Sequence, residues 1–272
     1  MSPATPRKLP RVRLDQLLVD RGLTASRSRA QALILAGKVR VGEGDAARGD
    51  RKPGDLLAPD TPVVVTEASP YVSRGGHKLA AALDAFGIDP TGVVGLDVGA
   101  STGGFTDVLL QRGATRVYAL DVGRGQLAES LRRDQRVVSM ERTNARALTA
   151  ETLPEPVDLA TIDVSFISLG LVLGPIASTL RPGPGRHIVA LVKPQFEAGK
   201  GRTDHGVVRD SAIHREVLER TVLSAREHGL GTRAVIASPI TGPEGNREFL
   251  VHLARGPGCA EIGDRIAEVT GG

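Results

Sequence analysis

The sequence is poor in cysteine and in aromatic residues. It has one cysteine, Cys259, six histidines and no tryptophan, and aromatic residues make up only 3% of its 272 residues. One cysteine can neither close an internal disulfide nor supply a zinc cluster, and the histidines lack a ligand spacing such as HxxxH, so no metal site is predicted. The shortage of aromatics also argues against an aromatic platform on which nucleic-acid bases stack. We expect any bound nucleic acid to be held through its phosphates and its shape.

A long apolar run is also missing. The longest uninterrupted stretch is Ile188 to Val192, whereas a membrane-spanning helix needs about 20 apolar residues. The first ten residues contain basic side chains with no apolar stretch after them, which does not fit a signal peptide. We therefore expect a soluble, cytoplasmic protein without a membrane partner. The 40% of hydrophobic residues is enough for one ordinary α/β domain beside a smaller one.

Positive charge is concentrated near the amino-terminal end of the sequence. The formal net charge is +4, but residues 1–40 hold nine lysines and arginines against two aspartates, a net charge of +7. The remaining residues therefore sum to about −3. A basic segment on an otherwise balanced protein is typical of a module that binds a polyanion, although a solvated helix face has the same composition.

Residues 11–66 are predicted to form a small α+β domain. Leucines at helical spacing indicate a first helix that ends near Gly22, a second helix is predicted to follow with Ser26 or Thr24 as its cap, and the alternation of Val39 to Val41 indicates a strand. The segment Arg13 to Gly42, with its RLD, RG, SR and GKVRV motifs, resembles an S4-type RNA-binding domain. The residues that we expect to contact RNA are Arg11, Arg13, Arg27, Arg29, Lys38, Arg40 and, beyond this domain, Arg74.

From Val93 onward, buried strand-like runs alternate with amphipathic helical segments, which is typical of a parallel sheet covered on both faces. We assign residues 73–255 to a Rossmann-like α/β domain with seven strands, residues 67–72 to a linker and residues 256–272 to a tail. The predicted strands are Val93 to Val98, Arg116 to Asp121, Val137 to Met140, Leu159 to Asp163, His187 to Val192, Gly231 to Ile236 and Glu248 to Leu253.

The first predicted strand leads into a glycine-rich turn, GASTGG, at Gly99 to Gly104. Its glycines let the backbone approach a ligand, and the helix that follows offers free N–H groups. The spacing differs from the GxGxxG of a dinucleotide dehydrogenase, although the turn and Asp121 would also serve an NAD-type oxidoreductase. Asp121 is placed for the ribose hydroxyls of an adenosine, Asp97 for a methionine moiety and Asn144 for the adenine edge. These spacings resemble a methyltransferase that uses S-adenosylmethionine (SAM).

Five motifs extend this resemblance along the chain. They are SRGGHKL at Ser73 to Leu79, DVGASTGGFTD at Asp97 to Asp107, DVSFISL at Asp163 to Leu169, VKPQFE at Val192 to Glu197 and GNREF at Gly245 to Phe249. In this order, after an S4 segment, they are similar to the TlyA, or haemolysin A, family over about residues 11–254. The resemblance implies an FtsJ-like domain that methylates the 2′-hydroxyl of cytidines in ribosomal RNA of the large subunit and, in some members, of the small subunit.

The residues that the resemblance and the spacings assign to SAM are Asp97, Gly99, Ala100, Ser101, Gly103, Gly104, Phe105, Asp121, Asn144 and Asp163. We expect Phe105 and Phe166 to pack in the core or in the wall of the cofactor site. The resemblance further implies a catalytic group of four residues, namely Lys78, Asp163, Lys193 and Glu248.

A ribose hydroxyl is a poor nucleophile, so its proton must be loosened or removed as it attacks the methyl group. By resemblance, Lys193 is the base or the residue that positions the hydroxyl, and Lys78 is a neighbouring cation. Asp163 and Glu248 orient the lysines and balance their charge. Asp163 has independent support, because ligands of open α/β sheets bind at the carboxyl ends of strands.

Other functions fit part of these features. A non-catalytic S4-containing protein that binds RNA or ribosomes is one, but the four intact catalytic candidates weigh against it. An NAD-type oxidoreductase is another, against which the GASTGG spacing and the absence of a hydride-transfer constellation argue. The haemolysin name suggests membrane lysis, but we identify no membrane-spanning segment in the sequence to support it.

Overall fold

The structure is a computed structural model that describes residues 11–43, 47–65, 69–199 and 201–271. The chain divides into two compact units, with the boundary between Pro70 and Tyr71. Residues 1–10, which hold part of the basic segment, and residues 66–68, where we placed the end of the small domain and the start of the linker, lie outside the described residues. Tyr71 and Val72, which we assigned to the linker, belong to the second unit, where the Val72 N–H donates to Asp107.

The first unit has two helices and two short antiparallel strand pairs. Its elements are β1 (Val12–Arg13), α1 (Leu14–Asp20), α2 (Arg27–Leu35), β2 (Val39–Val41), β3 (Leu56–Leu57) and β4 (Val63–Val65). Strand β1 pairs with β3, and β2 pairs with β4. Of the two predicted caps, Ser26 is the one that begins helix α2, because its hydroxyl accepts the Arg29 N–H and satisfies a free donor of the first turn. Leu14, Leu18 and Ala30 are fully buried between the helices and strands.

A buried carboxylate links the two helices of this unit. Asp15 is 0% exposed and accepts hydrogen bonds from Arg13 at 2.8 and 3.0 Å, from Arg27 at 3.2 Å and from Gln31 at 2.8 Å. The Arg13 hydrogen bond is the main reason that the pKa of Asp15 lies well below its usual range, against the opposing effect of burial. About half of each arginine side chain stays exposed, 46% for Arg13 and 49% for Arg27.

The second unit contains a seven-stranded sheet. Its strands are β5 (Val94–Val98), β6 (Arg116–Leu120), β7 (Val137–Met140), β8 (Leu159–Ile162), β9 (His187–Val192), β10 (Leu230–Ala237) and β11 (Phe249–Arg255). The spatial order is β10-β11-β9-β8-β5-β6-β7. The five strands from β5 to β9 are parallel, but β11 is antiparallel to both of its neighbours. The seven-stranded Rossmann-like class is confirmed, and the expectation of an all-parallel sheet is wrong for β11.

Helices cover both faces of the sheet. They are α3 (Gly75–Phe86), α4 (Gly104–Gln111), α5 (Glu129–Arg132), α6 (Gly170–Thr179), α7 (Pro194–Glu197), α8 (Ser211–Glu227) and α9 (Ile262–Thr270). Phe249 and Leu250 belong to different apolar clusters, because successive side chains of a strand point to opposite faces. One cluster contains the buried residues of α3 and α4, and the other those of α6 and α8. Throughout the part of the chain that is described, no helix combines the length and the apolar character needed to cross a membrane.

The carboxyl-terminal segment differs from the sequence-based expectation. We assigned residues 256–272 to a tail, but α9 packs against α8 and β10 within the second unit. Ile262 and Ile266 lie four residues apart, so they share one helix face, and both are buried. The sequence did not reveal this helix, because glycines flank it and its buried apolar pair, Ile262 and Ile266, spans only one helical turn.

The Asp15 network predicts a defined weak point of the first unit. Asp15→Asn removes the charge of a buried carboxylate to which two arginines donate hydrogen bonds. We therefore expect the local free energy of unfolding to fall by about 2–3 kcal/mol at pH 7. Because the folded pKa of Asp15 is depressed, its contribution is complete above about pH 4 and is lost as the pH falls further. Hydrogen exchange of the α1 and α2 amides in the full chain measures this loss.

The matched control is Asp20→Asn, an exposed aspartate of the same helix that is bonded to Gln16. This variant is expected to exchange like the parent protein. Equal protection of α1 and α2 in the Asp15→Asn and Asp20→Asn proteins would contradict the role given to Asp15.

Candidate active site

A cavity of about 390 Å³ lies at the carboxyl edge of the parallel strands, and we call it the lysine cavity. Lys78, Asp163, Lys193 and Glu248 all line it. Asp163 directly follows β8, and Lys193 directly follows its parallel neighbour β9. The fold therefore brings together the four residues that the family resemblance implies as a catalytic group.

One side of the lysine cavity is formed by Lys193 and Asp163. The Lys193 Nζ lies 2.6 Å from the Asp163 Oδ1 and donates a hydrogen bond of 2.9 Å to the Ser165 Oγ. The two charged side chains are 13% and 23% exposed. Ser165 was not predicted, although its place in the DVSFISL motif, two residues after Asp163, was a usable signal.

The other side is formed by Lys78 and Glu248. Lys78 lies in the first turn of α3, and its Nζ donates to the Glu248 Oε2. Their side chains are 10% and 0% exposed. Glu248 reaches this edge because β11 runs antiparallel, with Phe249 opposite Val192 at the carboxyl end of β9. A Cβ at Gly242 would lie 2.3 Å from the Glu248 Oε1, so glycine makes room for this carboxylate.

The glycine-rich turn is packed closely against the same edge. Gly99 has a φ of +84°, and a Cβ there would lie 2.4 Å from the Asp163 carbonyl oxygen. Only glycine permits this approach of the turn to the end of β8. Gly103 also has a positive φ, but its Cβ would lie 2.3 Å from Leu131, so it faces apolar packing and not a cavity.

A second cavity of about 490 Å³, which we call the Asp121 cavity, adjoins the lysine cavity. The two share Gly99, Ser101 and Asp163 as lining residues. The carboxylate of Asp121 accepts the Ser101 N–H at 2.8 Å and the Gly123 N–H at 2.7 Å. Each carboxylate oxygen has a second lone pair, so both can also accept a hydroxyl group of a ligand.

The remaining cofactor candidates are divided between the two cavities. Ala100, Gly104 and Phe105 line the lysine cavity. Asn144 lines the Asp121 cavity, and its Oδ1 accepts the Arg146 N–H at 3.0 Å, which caps a short 3₁₀ turn.

Asp97 differs from the expectation, because it lines neither cavity. Its carboxylate is 0% exposed and accepts hydrogen bonds from the Thr106 N–H at 2.8 Å, the Thr106 hydroxyl at 2.7 Å and the Thr161 hydroxyl at 3.2 Å. Burial raises the pKa of Asp97 to about 7, against the opposing effect of these hydrogen bonds. Asp97 therefore joins α4 to β8 behind the glycine-rich turn.

Phe166 lines the Asp121 cavity, as expected for a wall residue, but it is 89% exposed and does not pack in the core. Its φ is +62°, and its ring centroid lies 4.7 Å from that of Phe196. The Phe196 ring in turn lies 6.0 Å from the Lys193 Nζ. An exposed aromatic side chain thus stands beside the catalytic candidates, whereas Phe105 is buried as expected.

The loops that carry Asp163 and Lys193 are joined by a further contact that sequence reasoning missed. The Glu197 carboxylate accepts the Ser168 hydroxyl at 2.8 Å and the Leu169 N–H at 2.7 Å. This contact links the DVSFISL and VKPQFE segments independently of the lysine. The polar ends of β8 and β9 are therefore held by two connections.

The predicted RNA-binding residues occupy different environments. Arg74 is exposed at the lysine cavity and donates to the Thr241 carbonyl at 3.1 Å. In the first unit Arg11, Arg29 and Arg40 are exposed, and Lys38 is half-buried. Among the residues described, no group of three or more histidine, cysteine, aspartate or glutamate side chains is arranged to hold a metal ion.

Comparison with known families assigns both units. The model of the FtsJ-like methyltransferase family matches residues 71–255, and the model of the S4 domain matches residues 12–43. The methyltransferase match spans more than half of the chain and includes every lining residue of the lysine and Asp121 cavities.

Individual relatives resemble nearly the whole chain. The 16S/23S rRNA (cytidine-2′-O)-methyltransferase TlyA of Mycobacterium tuberculosis is 48% identical over 244 residues, which cover 89% of this chain and 90% of the relative. Hemolysin A of Brachyspira hyodysenteriae is 40% identical, covering 89% and 99%. A solved structure from Streptococcus thermophilus, whose name assigns it to the hemolysins, has a TM-score of 0.72 at 42% identity and covers 96% of each chain. The chain therefore belongs to the TlyA (haemolysin A) family, in which an S4 domain precedes an FtsJ-like methyltransferase domain.

Proposed function

We propose that the protein transfers a methyl group from SAM to the ribose 2′-hydroxyl of a cytidine in ribosomal RNA. The observation that carries this proposal is the common wall of the two cavities at Gly99, Ser101 and Asp163. A cofactor in the Asp121 cavity is thereby placed next to a substrate in the lysine cavity. The name of the M. tuberculosis relative, a 16S/23S rRNA (cytidine-2′-O)-methyltransferase, supports the same reaction and substrate.

The Asp121 cavity fits the adenosine part of SAM. Both Asp121 oxygens can accept ribose hydroxyls, Asn144 stands at the adenine end, and the backbone of Gly99 to Ser101 borders the path toward the lysine cavity. When bound, SAM supplies an electrophilic methyl group. We assign Asp97 a supporting part, because it holds α4 and β8 around the turn without lining the cavity.

Lys193 is the residue that we assign to the hydroxyl proton. Its Nζ is fixed by Asp163 and Ser165, which leaves one direction free for the substrate. As the new O–C bond forms, the bond between the methyl carbon and the sulfonium sulfur breaks, and the hydroxyl proton passes to the Lys193 Nζ, which must have given up one of its own protons before it can accept this one. Asp163, 2.6 Å away, then stabilises the ammonium that results. Lys78, neutralised by Glu248, orients the ribose from the other side of the cavity.

The RNA substrate is assigned to basic residues of both units. Arg11, Arg29 and Arg40 present exposed charge on the S4 unit, and the exposed portions of Arg13 and Arg27 add to it. Such residues bind phosphate without reading sequence. Arg74 lines the lysine cavity and Phe166 lines the adjoining Asp121 cavity, and we assign both to contact with the nucleotide that is methylated.

The assignment of Lys193 is tested by transfer of labelled methyl groups from SAM to isolated ribosomal subunits. We expect Lys193→Ala to lower the rate by about 10²-fold or more, which is the usual contribution of a positioned base. Lys193→Arg keeps a charged donor but cannot accept a proton, so it is expected to be equally slow. SAM affinity should stay within about twofold of the parent value, because Lys193 does not line the Asp121 cavity. A normal rate for Lys193→Ala refutes the assignment, and an active Lys193→Arg enzyme excludes a proton-accepting role.

The cofactor proposal is tested by calorimetric binding of SAM and NAD to the full chain. Asp121→Ala removes two acceptors for ribose hydroxyls, so we expect SAM affinity to fall by about 10- to 100-fold, at about 1 kcal/mol or more per hydrogen bond. Asp264→Asn, an exposed aspartate on α9, serves as the control and should bind SAM normally. Tight binding of NAD with no binding of SAM is the result that would favour an oxidoreductase.

Phe166 lines the Asp121 cavity, so its contribution to RNA use is tested with SAM at saturation. A base that stacks on an aromatic ring gains about 1–3 kcal/mol, so Phe166→Ala is expected to reduce methyl transfer at least about fivefold, and Phe166→Trp to retain it. Thermal stability should not change, because the ring is 89% exposed. Unaltered methyl transfer by the Phe166→Ala protein at subsaturating RNA would show that the ring does not engage the substrate.

A further inference from the structure

A third cavity, of about 310 Å³, lies at the opposite end of the sheet, and we call it the arginine cavity. It is lined by the loop at residues 183–186 and by His187, Arg233, His252, Ala254 and Arg255. His187 begins β9, and Lys193 follows the end of this strand. At about 3.3 Å per residue, the arginine and lysine cavities are separated by roughly 20 Å of strand. The arginine cavity is therefore distinct from the proposed methyl-transfer site.

The arginine cavity carries more positive than negative charge. Arg186 shares one carboxylate, that of Asp158, with Arg181, at Nε–Oδ1 distances of 3.2 and 2.9 Å. Within the described ranges, neither Arg233 nor Arg255 has a carboxylate within 4.0 Å. Arg233 donates to the Arg255 carbonyl at 2.9 Å, and Arg255 donates to the Ala177 carbonyl at 2.8 Å. Backbone carbonyls fix the two guanidinium groups without neutralising them.

Backbone geometry holds these groups at the cavity. Arg233 is the extra residue of a β-bulge, because the pairing of β10 with β11 shifts between Thr232 and Ala234. Bulges redirect a side chain and often lie beside functional sites. Arg233 and Arg186 are both half-buried, so their charge is partly shielded from water. An unbalanced charge in such a setting gains more from an anion than one in open solvent does.

Two histidines, His187 and His252, line the arginine cavity and contact each other. The His187 Nδ1 lies 2.9 Å from the His252 Nε2, and Phe86 stacks against His252 with ring centroids 5.4 Å apart. Burial lowers the pKa of His252 to about 4, with further lowering by His187 and Arg233. Burial likewise lowers the pKa of His187, followed by the effects of Arg186 and Arg233. With the pKa of both histidines lowered, the imidazoles are mainly neutral at neutral pH and add no positive charge beside the arginines.

We propose that the arginine cavity binds a phosphate group between Arg186 and Arg233, with Arg255 at its rim. Guanidinium groups form paired hydrogen bonds with phosphate oxygens, and Arg suits this geometry better than Lys. A phosphodiester of the RNA backbone and a free phosphate ester present the same chemistry. If the phosphate belongs to RNA, the cavity is an additional anchor for the substrate, and this version of the proposal rests on the proposed function. Binding of a free phosphate ester does not depend on the proposed function.

The test is calorimetric titration of the full-length protein with inorganic phosphate and, separately, with a short oligoribonucleotide. We expect the affinity for phosphate to fall at least about tenfold in Arg233→Gln and less in Arg233→Lys, which keeps the charge but not the fork. Arg133→Gln is the matched control, because this arginine is 78% exposed and paired with Glu129 on α5. Arg255→Gln provides a second variant, and thermal unfolding establishes that each variant is folded.

The two sources give different results. If the oligoribonucleotide displaces phosphate from the parent protein and itself binds more weakly to Arg233→Gln, the ligand is the RNA backbone. If phosphate binding depends on Arg233 but oligoribonucleotide binding does not, the ligand is a free phosphate ester. Equal phosphate affinity for the parent, Arg233→Gln and Arg255→Gln proteins overturns the proposal. SAM binding is measured in parallel and should be unchanged in every variant, so failure here is distinct from failure of the methyltransferase proposal.

Discussion

The ion pair between Lys193 and Asp163 is the contact on which the rest of the proposed active site depends. It joins residues that follow two neighbouring parallel strands, and the Glu197 bonds fasten the same loops a second time. Both charges are mostly withdrawn from water, which is costly unless the partners are held in place. The strand ends supply this rigidity. A lysine on an unsupported loop would lack this rigidity. Holding its long side chain in one position costs rotamer entropy, which the fixed strand ends help to offset.

The strands were predictable from the sequence, and their directions were not. Apolar runs between helical segments located all seven strands of the sheet, because burial on both faces leaves a clear pattern in the sequence. Periodicity carries no information about strand direction, so the reversal of β11 was missed. This reversal places Glu248, which directly precedes β11, beside the residue that follows β9. The place of Glu248 in the site therefore came from family resemblance alone, whereas Asp163 could be argued from its strand end.

Two residues show why a position at a strand end does not settle which way a side chain points. Asp97 lies one residue before the end of β5, and its carboxylate turns into the interior, where two threonines satisfy it. Phe166 has an apolar side chain that composition assigns to the interior, yet a positive φ in its loop presents the ring to solvent. Both outcomes depend on contacts between segments far apart in the chain. Residue type and spacing in one sequence do not contain those contacts.

The two ends of β9 differ in how their charges are balanced, and this difference indicates what each end can bind. At the carboxyl end, each of two mostly buried lysines is paired with a carboxylate, so these four side chains are together formally neutral and suit an uncharged hydroxyl whose proton must be controlled. At the amino end, three arginines line the arginine cavity, and among the described residues only Arg186 of these three is paired with a carboxylate, that of Asp158, which Arg181 also shares. The two histidines there are mainly neutral at neutral pH, so they do not balance the charge of the arginines. A positive excess that the protein does not balance itself is a property of anion sites, so the two cavities suit different chemical groups: a sugar hydroxyl at one end of β9 and a phosphate at the other.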